Sequence, residues 1–265
     1  RVYSYEIVLE VEVNRKLLVG ALGVMAVVLV VSQAHAQSDA GGWDIAIAPY
    51  LWAAGMDGTF AIGEMEQDID VSFGDVIDNL DFAFMGHLDM RNEHWVISSD
   101  LTFVDLGRSE TVHEIQDVGE INAKAGIDMV LFELAGGYRV SKAVTVLAGA
   151  RWVDMSAEVR LTGGVEDHQG DVDKSWLDPL IGVHAFLPLS EKWWLGMRGD
   201  IGGFGVGSEL TWQAYADIGF QASHLISIVL GYHALDIDYE SGSGFETAGV
   251  DLTISGPQLG VVFTF

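Results

Sequence analysis

The 265-residue chain contains no cysteine, so it can form neither disulfides nor thiolate metal sites. Proline is scarce, with 4 residues beside 32 glycines, a balance that suits crowded, twisted strands better than disordered tails. Basic residues are few: 13 Lys and Arg against 39 Asp and Glu leave a formal net charge of −26. The missing basic face excludes nucleic-acid binding. The sign of the charge also opposes docking onto anionic membrane surfaces. Beyond residue 36 no apolar run has the length of a spanning helix, and helical periodicity is poor. Yet 49% of the residues are hydrophobic. A chain this acidic and this apolar has to separate the two properties in space.

The one long apolar run lies near the N-terminus, in "NRKLLVGALGVMAVVLVVSQAHAQ". Arg15 and Lys16 form a charged n-region, Leu17 to Val31 an apolar stretch, and Ala34 to Ala36 a small-residue cleavage site. This predicts a cleaved secretory signal peptide and a mature chain from Gln37. The stretch before it, "RVYSYEIVLEVEV", does not resemble an n-region. A translation start at Val11 or Val13 would account for it, and N-terminal sequencing of the precursor tests this. Residues 1–36 are therefore read as an upstream extension plus signal peptide, and 37–265 as one domain.

The mature chain alternates with period two, the signature of strands. In "WDIAIAPYLW", Trp43, Ile45, Ile47, Pro49 and Leu51 share one face. In "LDFAFMGHLDMR", Leu80, Phe82, Phe84, Gly86, Leu88 and Met90 share one face, with Asp81, Ala83, Met85, His87, Asp89 and Arg91 opposite. "WVISSDLTF" alternates likewise, and further segments follow at about 126–140, 143–159, 175–188, 192–205, 208–221, 224–239 and 249–265. That makes about ten strands, with 8–12 possible, each long enough to cross a bilayer at a tilt; extra short strands inside 55–73 or 109–122 could extend the sheet above the membrane or make the count twelve. A soluble two-sheet sandwich also alternates, but commonly with strands of about 5–6 residues.

Connection lengths separate the two readings. Those at "RNEH", "SKA", "LSEK" and "ASHL" are short. Those at 55–79, 107–125, 160–174, 203–208 and 240–248 are mostly longer, Gly-rich or acidic. Strict alternation of short and long is the asymmetry of an outer-membrane barrel, with short periplasmic turns and longer outer loops. Trp43, Trp52, Trp95, Trp176, Trp193, Tyr239 and Phe265 fall near strand ends, where interface girdles are expected. The chain ends on an apolar stripe of Leu259, Val261, Phe263 and Phe265. On a closing strand these residues face lipid, and closure leaves no unpaired edge in hydrocarbon. Such an ending is similar to the C-terminal signal that the barrel-assembly machinery reads in bacterial outer-membrane proteins.

Several stretches resemble a family of proteobacterial outer-membrane proteins to which no defined chemistry attaches. It is related in general character to small outer-membrane protein A-type, porin-like barrels. The residues carrying the resemblance are "PYLWAAGMDGTFAIG" (49–63), "VSFGDVIDNLDFAFMGHLDMR" (71–91), "RGDIGGFGVGSELTWQ" (198–213), "GYHALDIDYE" (231–240) and "SGPQLGVVF" (255–263). The family pattern often places a basic residue where this chain has His233. The resemblance implies a transmembrane antiparallel up-and-down β-barrel in the outer membrane of a Gram-negative bacterium. Its expected partners are outer-membrane lipid, periplasmic chaperones and the barrel-assembly machinery.

Alternation turns Asp100, Glu133, Arg151, His184, Arg198, Asp200 and His233 into the lumen at mid-depth. Glu133 and Arg151 should be neighbours across one hairpin, His184 and Arg198 across another. Such a set can be an ion-pair network that plugs a narrow barrel, since buried charges need partners. It can also line a narrow pore for ions or small solutes. Ten strands sit nearer the side-chain-filled barrels than the open channels of about 16–18 strands. Residues 74–80, "GDVIDNL", read either as a short helix over the barrel mouth or as an ordinary loop turn.

No catalytic, cofactor-binding or metal-binding residue stands out. Omptin-type proteases also have ten strands and use rim Asp and His residues. Asp81, Asp154, His113 and His168 are the rim candidates here, but their spacing singles out no pair. "EDHQGDVD" (166–173) is acidic yet does not match the calcium-loop pattern. "RGD" at 198–200 points inward by alternation, and no helix follows "GGFGVG" (202–207), as a phosphate loop would require. The expected role is structural or that of a narrow passive pore, with no enzyme activity and no cofactor. The alternatives are a surface enzyme of the omptin-protease or lipid-modifying type, and a surface-binding protein using acidic outer loops.

Overall fold

A computed structural model of the chain describes residues 42–62, 65–115, 119–162, 168–242 and 248–265. The signal peptide and upstream extension expected over 1–36 lie outside the described residues. The described chain folds into strands β1 (Asp44–Trp52), β2 (Gly55–Ile62), β3 (Met65–Val71), β4 (Leu80–Arg91), β5 (Trp95–Ile115) and β6 (Gly119–Arg139). They are followed by β7 (Val144–Thr162), β8 (His168–Pro188), β9 (Trp193–Gly203), β10 (Leu210–Gln221), β11 (Ile226–Ser241) and β12 (Ala248–Thr264). One helix, α1 (Phe73–Asp78), interrupts them.

Ten of the strands close a ring. β1 pairs with β4, β4 to β12 pair in chain order, and β12 returns to β1, every pair antiparallel. Across the closing seam Leu51 faces Leu259 and Ile47 faces Phe263. The terminal residue is bonded into that seam, with Ile45 and Phe265 exchanging backbone hydrogen bonds of 3.2 and 2.9 Å. The all-β, up-and-down barrel of about ten strands is therefore the fold, and the apolar ending is its last stave.

β2 and β3 extend the barrel rather than widen it. The first stave breaks at Ala53 and Ala54, then resumes as β2 on the same partner, with Gly55 opposite Ser255. The break lies against Gly256, where a Cβ would sit 2.1 Å from the Ala53 carbonyl oxygen. β2 then turns back as β3. α1 follows, started by a capping box in which the Ser72 hydroxyl accepts from the Asp75 N–H at 3.3 Å and the Asp75 carboxylate accepts from the Ser72 N–H at 3.1 Å. Val76 of this helix packs onto the apolar filling of the barrel, so the helical reading of 74–80 is the one the fold adopts.

Two expectations are corrected. Residues expected as outer loops at 107–125 and 160–174 are mostly strand, because the hairpin ladders continue through them, as at Gly107 opposite Gly126; of 240–248, residues 243–247 lie outside the described ones, and Glu240 and Ser241 still pair with Gly249 and Ala248. The 203–208 connection does remain a turn, built on Gly203 (φ 85°), Phe204 (φ 53°) and Gly205 (φ 69°). Glycines on either side of Phe204 supply the left-handed backbone that other residues resist. Finally, Trp52, Trp176 and Tyr239 are not girdle residues but lie inside the barrel, Trp176 stacked on Tyr239 at 4.0 Å. Trp95 against Tyr138 and Trp193 against Phe220 do lie on the outside, at the short-turn end.

The outer face explains those interior aromatics. From the short turns upward it is apolar: Leu134, Val146, Trp152, Ile181, Val183, Ile228 and Leu230 are all exposed. It then changes within one residue pair to Asp105, Asp128, Asp154, Ser175 and Asp236, which lie near one level by register. The apolar segments run about nine to eleven residues, or about 20–25 Å along the barrel axis at a usual rise and tilt. That matches the apolar band of transmembrane barrels. Above it the polarity inverts: carboxylates face out and apolar side chains face in, as in a soluble barrel.

Inversion at the Asp154 level has a stability signature. Leu134→Arg, in the apolar band, should cost about 2–4 kcal/mol, and Asp154→Arg at its edge about 0–1 kcal/mol. Reversible urea unfolding in phospholipid bilayers measures both, and equal costs at the two positions would contradict the assigned band.

Candidate functional site

Every lumen candidate read from alternation faces the barrel interior, where three layers follow one another along the axis. The outermost is apolar. Trp52, Met85, Leu131, Val153, Leu235 and Leu252 belong to a continuous buried cluster that fills the barrel beneath α1.

The middle layer is a closed ring of charge. Arg151 on β7 donates through Nη2 to Glu133 Oε2 at 2.9 Å and to Asp200 Oδ1 at 2.7 Å. Arg198 on β9 donates through Nε to Asp200 Oδ2 at 2.9 Å and through Nη2 to Glu133 Oε1. Two guanidinium groups thus alternate with two carboxylates, and the ring is formally neutral. All four side chains are at most 6% exposed. Gln213 Nε2 and Thr211 Oγ1 complete the layer against Asp200 and Arg151 at 3.3 and 3.5 Å. Charge this deep is tolerated only because each group is paired and hydrogen-bonded.

The expected Glu133–Arg151 contact across β6 and β7 is present. His184 and Arg198 are also register partners, but the Arg198 guanidinium turns to Glu133 and Asp200 instead. An arginine has more to gain from two carboxylates than from an imidazole.

Beside the ring, Asp178 fastens the 204–209 connection into the lumen. Its carboxylate accepts from the Ser208 N–H at 2.6 Å, the Ser208 hydroxyl at 2.7 Å and the Trp176 indole N–H at 3.1 Å. A Cβ on Gly207 would meet Asp178 Oδ1 at 2.5 Å, so glycine lets the loop come this close. Neither Asp178 nor Ser208 was among the residues predicted from the sequence. The parity of Asp178 with Leu180 and His184 was the only signal, and a turn serine gives none.

The third layer is a cavity of about 330 Å³ at the short-turn end. Arg91, Gln221, His224 and Thr264 line it near the strand ends at the short turns, and Tyr50, Asp100, Tyr215 and His233 line it toward the ring. His87 bridges two carboxylates, Nδ1 to Asp100 Oδ2 at 3.1 Å and Nε2 to Asp89 Oδ1 at 3.3 Å. The Tyr50 hydroxyl donates to Asp100 Oδ1 at 2.8 Å. Gln258 Nε2 donates to Asp217 Oδ1 at 2.6 Å. His233 stacks on Trp52 at 4.1 Å and meets Tyr215 edge-on at 5.6 Å. Of the predicted set, Asp100, His184 and His233 thus belong to the cavity, while Glu133, Arg151 and Asp200 make the ring and Arg198 touches both. Tyr50, Asp89, Tyr215 and Asp217 were not predicted, though His87 and Asp89 share the face opposite Leu88.

Among the described residues the rim candidates form no catalytic constellation. Asp81 lies at the start of β4, and Asp154 lies on the outer face of β7 with two strands between them. The side chains of His113 and His168 are outside the described ones, as are residues 166–167 of the acidic stretch. Among the described residues no group of three His, Asp or Glu is arranged to hold a metal ion.

No family model matches the chain. No curated protein matches it either. Solved structures do. The outer membrane protease OmpT from Escherichia coli aligns with a TM-score of 0.54 at 7% identity, over 84% of this chain and 97% of that one. The translocator domain of the autotransporter NalP from Neisseria meningitidis gives 0.42 at 15% identity, over 93% and 97%. The attachment invasion locus protein Ail of Yersinia pestis gives 0.36 at 11% identity, over 84% and 99%. The likeness to OmpT is one of fold: this chain has the architecture of an outer-membrane β-barrel.

The ring predicts a particular pattern of losses. Arg151→Met strands a net negative charge among Glu133, Asp200 and Arg198 and should cost about 3–5 kcal/mol. Adding Asp200→Asn restores neutrality and should recover part of that loss. Urea unfolding of the single and double variants reads both, and additive losses would contradict the ring as a unit.

Proposed function

We propose that this protein is an integral barrel of the Gram-negative outer membrane with a structural role, its lumen sealed against solute flow. The observation that carries the reading is the stacking of two different closures along one axis. A neutral, fully hydrogen-bonded ring of Arg151, Glu133, Arg198 and Asp200 sits directly beneath an apolar filling that includes Leu131, Val153 and Leu252. An ion passing through would have to break charge pairs and then cross a dry layer. Both steps are costly where the dielectric constant is low. Of the structural and pore roles, the filled lumen favours the first.

The outer apolar band supports lipid as its surroundings, and the apolar closing strand supports handling by periplasmic chaperones and the barrel-assembly machinery. The short turns then lie on the periplasmic side, with β2, β3 and α1 at the cell surface. No observation favours an enzyme: the fold is shared with a protease, but the rim Asp residues here are not brought together.

Planar-bilayer recording tests the seal. The purified protein should give no regular conductance steps. Stepwise conductance whose ion selectivity changes in Arg151→Ala or Arg198→Ala would overturn the sealed reading in favour of a narrow pore.

A further inference from the structure

The cavity at the short-turn end is not needed to seal the barrel. It is held open at some cost. Two of its wall side chains rest on glycines: a Cβ on Gly231 would sit 1.8 Å from Asp217 Oδ1, and one on Gly219 would sit 2.0 Å from the Trp194 ring. The Asp217 carboxylate and the Trp194 indole therefore lie flat against bare backbone. That leaves about 330 Å³ in front of them, near the lower end of small-ligand sites.

The walls have a definite chemistry. Tyr50, Tyr215 and Trp194 present aromatic surface. Asp89, Asp100 and Asp217 supply three carboxylates. Against them stands Arg91 near the turns, because Arg198 is already committed to the ring. Even with a proton on His87, the balance stays negative. One group is also unsatisfied. His233 is 7% exposed and lines the cavity, and among the described residues neither of its ring nitrogens meets a hydrogen-bond partner. Both nitrogens are buried, with Trp52 stacked on the ring and Tyr215 at its edge, so His233 adds an apolar surface to the wall rather than a donor or acceptor.

We infer that this cavity binds a small organic cation, an amine with an apolar body, entering from the short-turn side. Aromatic faces attract such a cation through their quadrupoles, and the carboxylates complement its charge. A neutral apolar ligand would leave the net negative charge of the walls unbalanced. An anion would be repelled by the walls and by the net charge of −26. A bare metal ion lacks a three-ligand group among the described residues. The inference rests on the sealed lumen only for the direction of entry, so binding and conductance fail separately.

Isothermal titration of the detergent-solubilised mature protein with cadaverine and with tetraethylammonium, and with benzoate as the anionic counterpart, is the test. At least one cation should bind saturably at one site, and benzoate should not. Asp217→Asn should weaken binding about tenfold or more, a change of about 1.4 kcal/mol. Asp238→Asn, on the outer face at the opposite end, should leave it unchanged. Folding of each variant is read from heat-dependent gel mobility, and Asp89→Asn carries the same comparison should Asp217→Asn not fold. Absence of saturable binding by both cations would overturn the inference. So would benzoate binding in their place, or equal weakening by Asp238→Asn.

Discussion

In hydrocarbon an unpaired backbone N–H or C=O costs several kcal/mol, so a sheet that enters it has to close on itself. Here the closure is the β1–β12 seam, carried down to the hydrogen bonds between Ile45 and Phe265. Closing ten strands fixes a narrow interior, and a narrow interior has to be filled or left wet. Both solutions occur in this barrel at different depths. The outer half is filled with apolar side chains, the middle with four paired charges, and the short-turn end retains a cavity.

The change of filling follows from the change of surroundings. The long staves β5 to β8 rise well past the apolar band. Where the outside is apolar, the stability of the inside can rest on polar pairing. Where the outside becomes a row of aspartates, only the inside can supply a hydrophobic core. The ring of Arg151, Glu133, Arg198 and Asp200 sits at this transition. Below it, Tyr50, His87 and Asp100 are joined by hydrogen bonds but leave space between the walls.

Much of this was legible from alternation alone. Period two assigned Leu259 to the outer face and Asp200 to the inner one, because parity along a strand is conserved through its whole length. The Glu133–Arg151 pair followed from a single short hairpin. What alternation could not carry was depth. Trp52 and Trp176 fall near the ends of the alternating segments, and an aromatic there reads as a girdle unless the lumen is known to be apolar at that level. The acidic stretches around 107–125 and 160–174 read as loops for a related reason, since carboxylates and glycines are turn-like even where a paired strand runs through most of them. Ser208 reaches Asp178 by a loop folding inward, a tertiary event with no periodic trace.

The inversion of polarity along one stave is the claim on which the sealed barrel, the lipid band and the interior core all depend. The absence of native cysteine makes it directly measurable by single-cysteine substitutions along β7, probed in native membranes with a water-soluble maleimide. Cysteines at Val146, Ala148, Ala150 and Trp152 should be shielded by lipid, and those at Val153 and Met155 shielded by the core. Cysteines at Asp154 and Ser156 should react. Labelling at 153 and 155 as fast as at 154 and 156 would mean a water-filled lumen at that depth and would contradict the account.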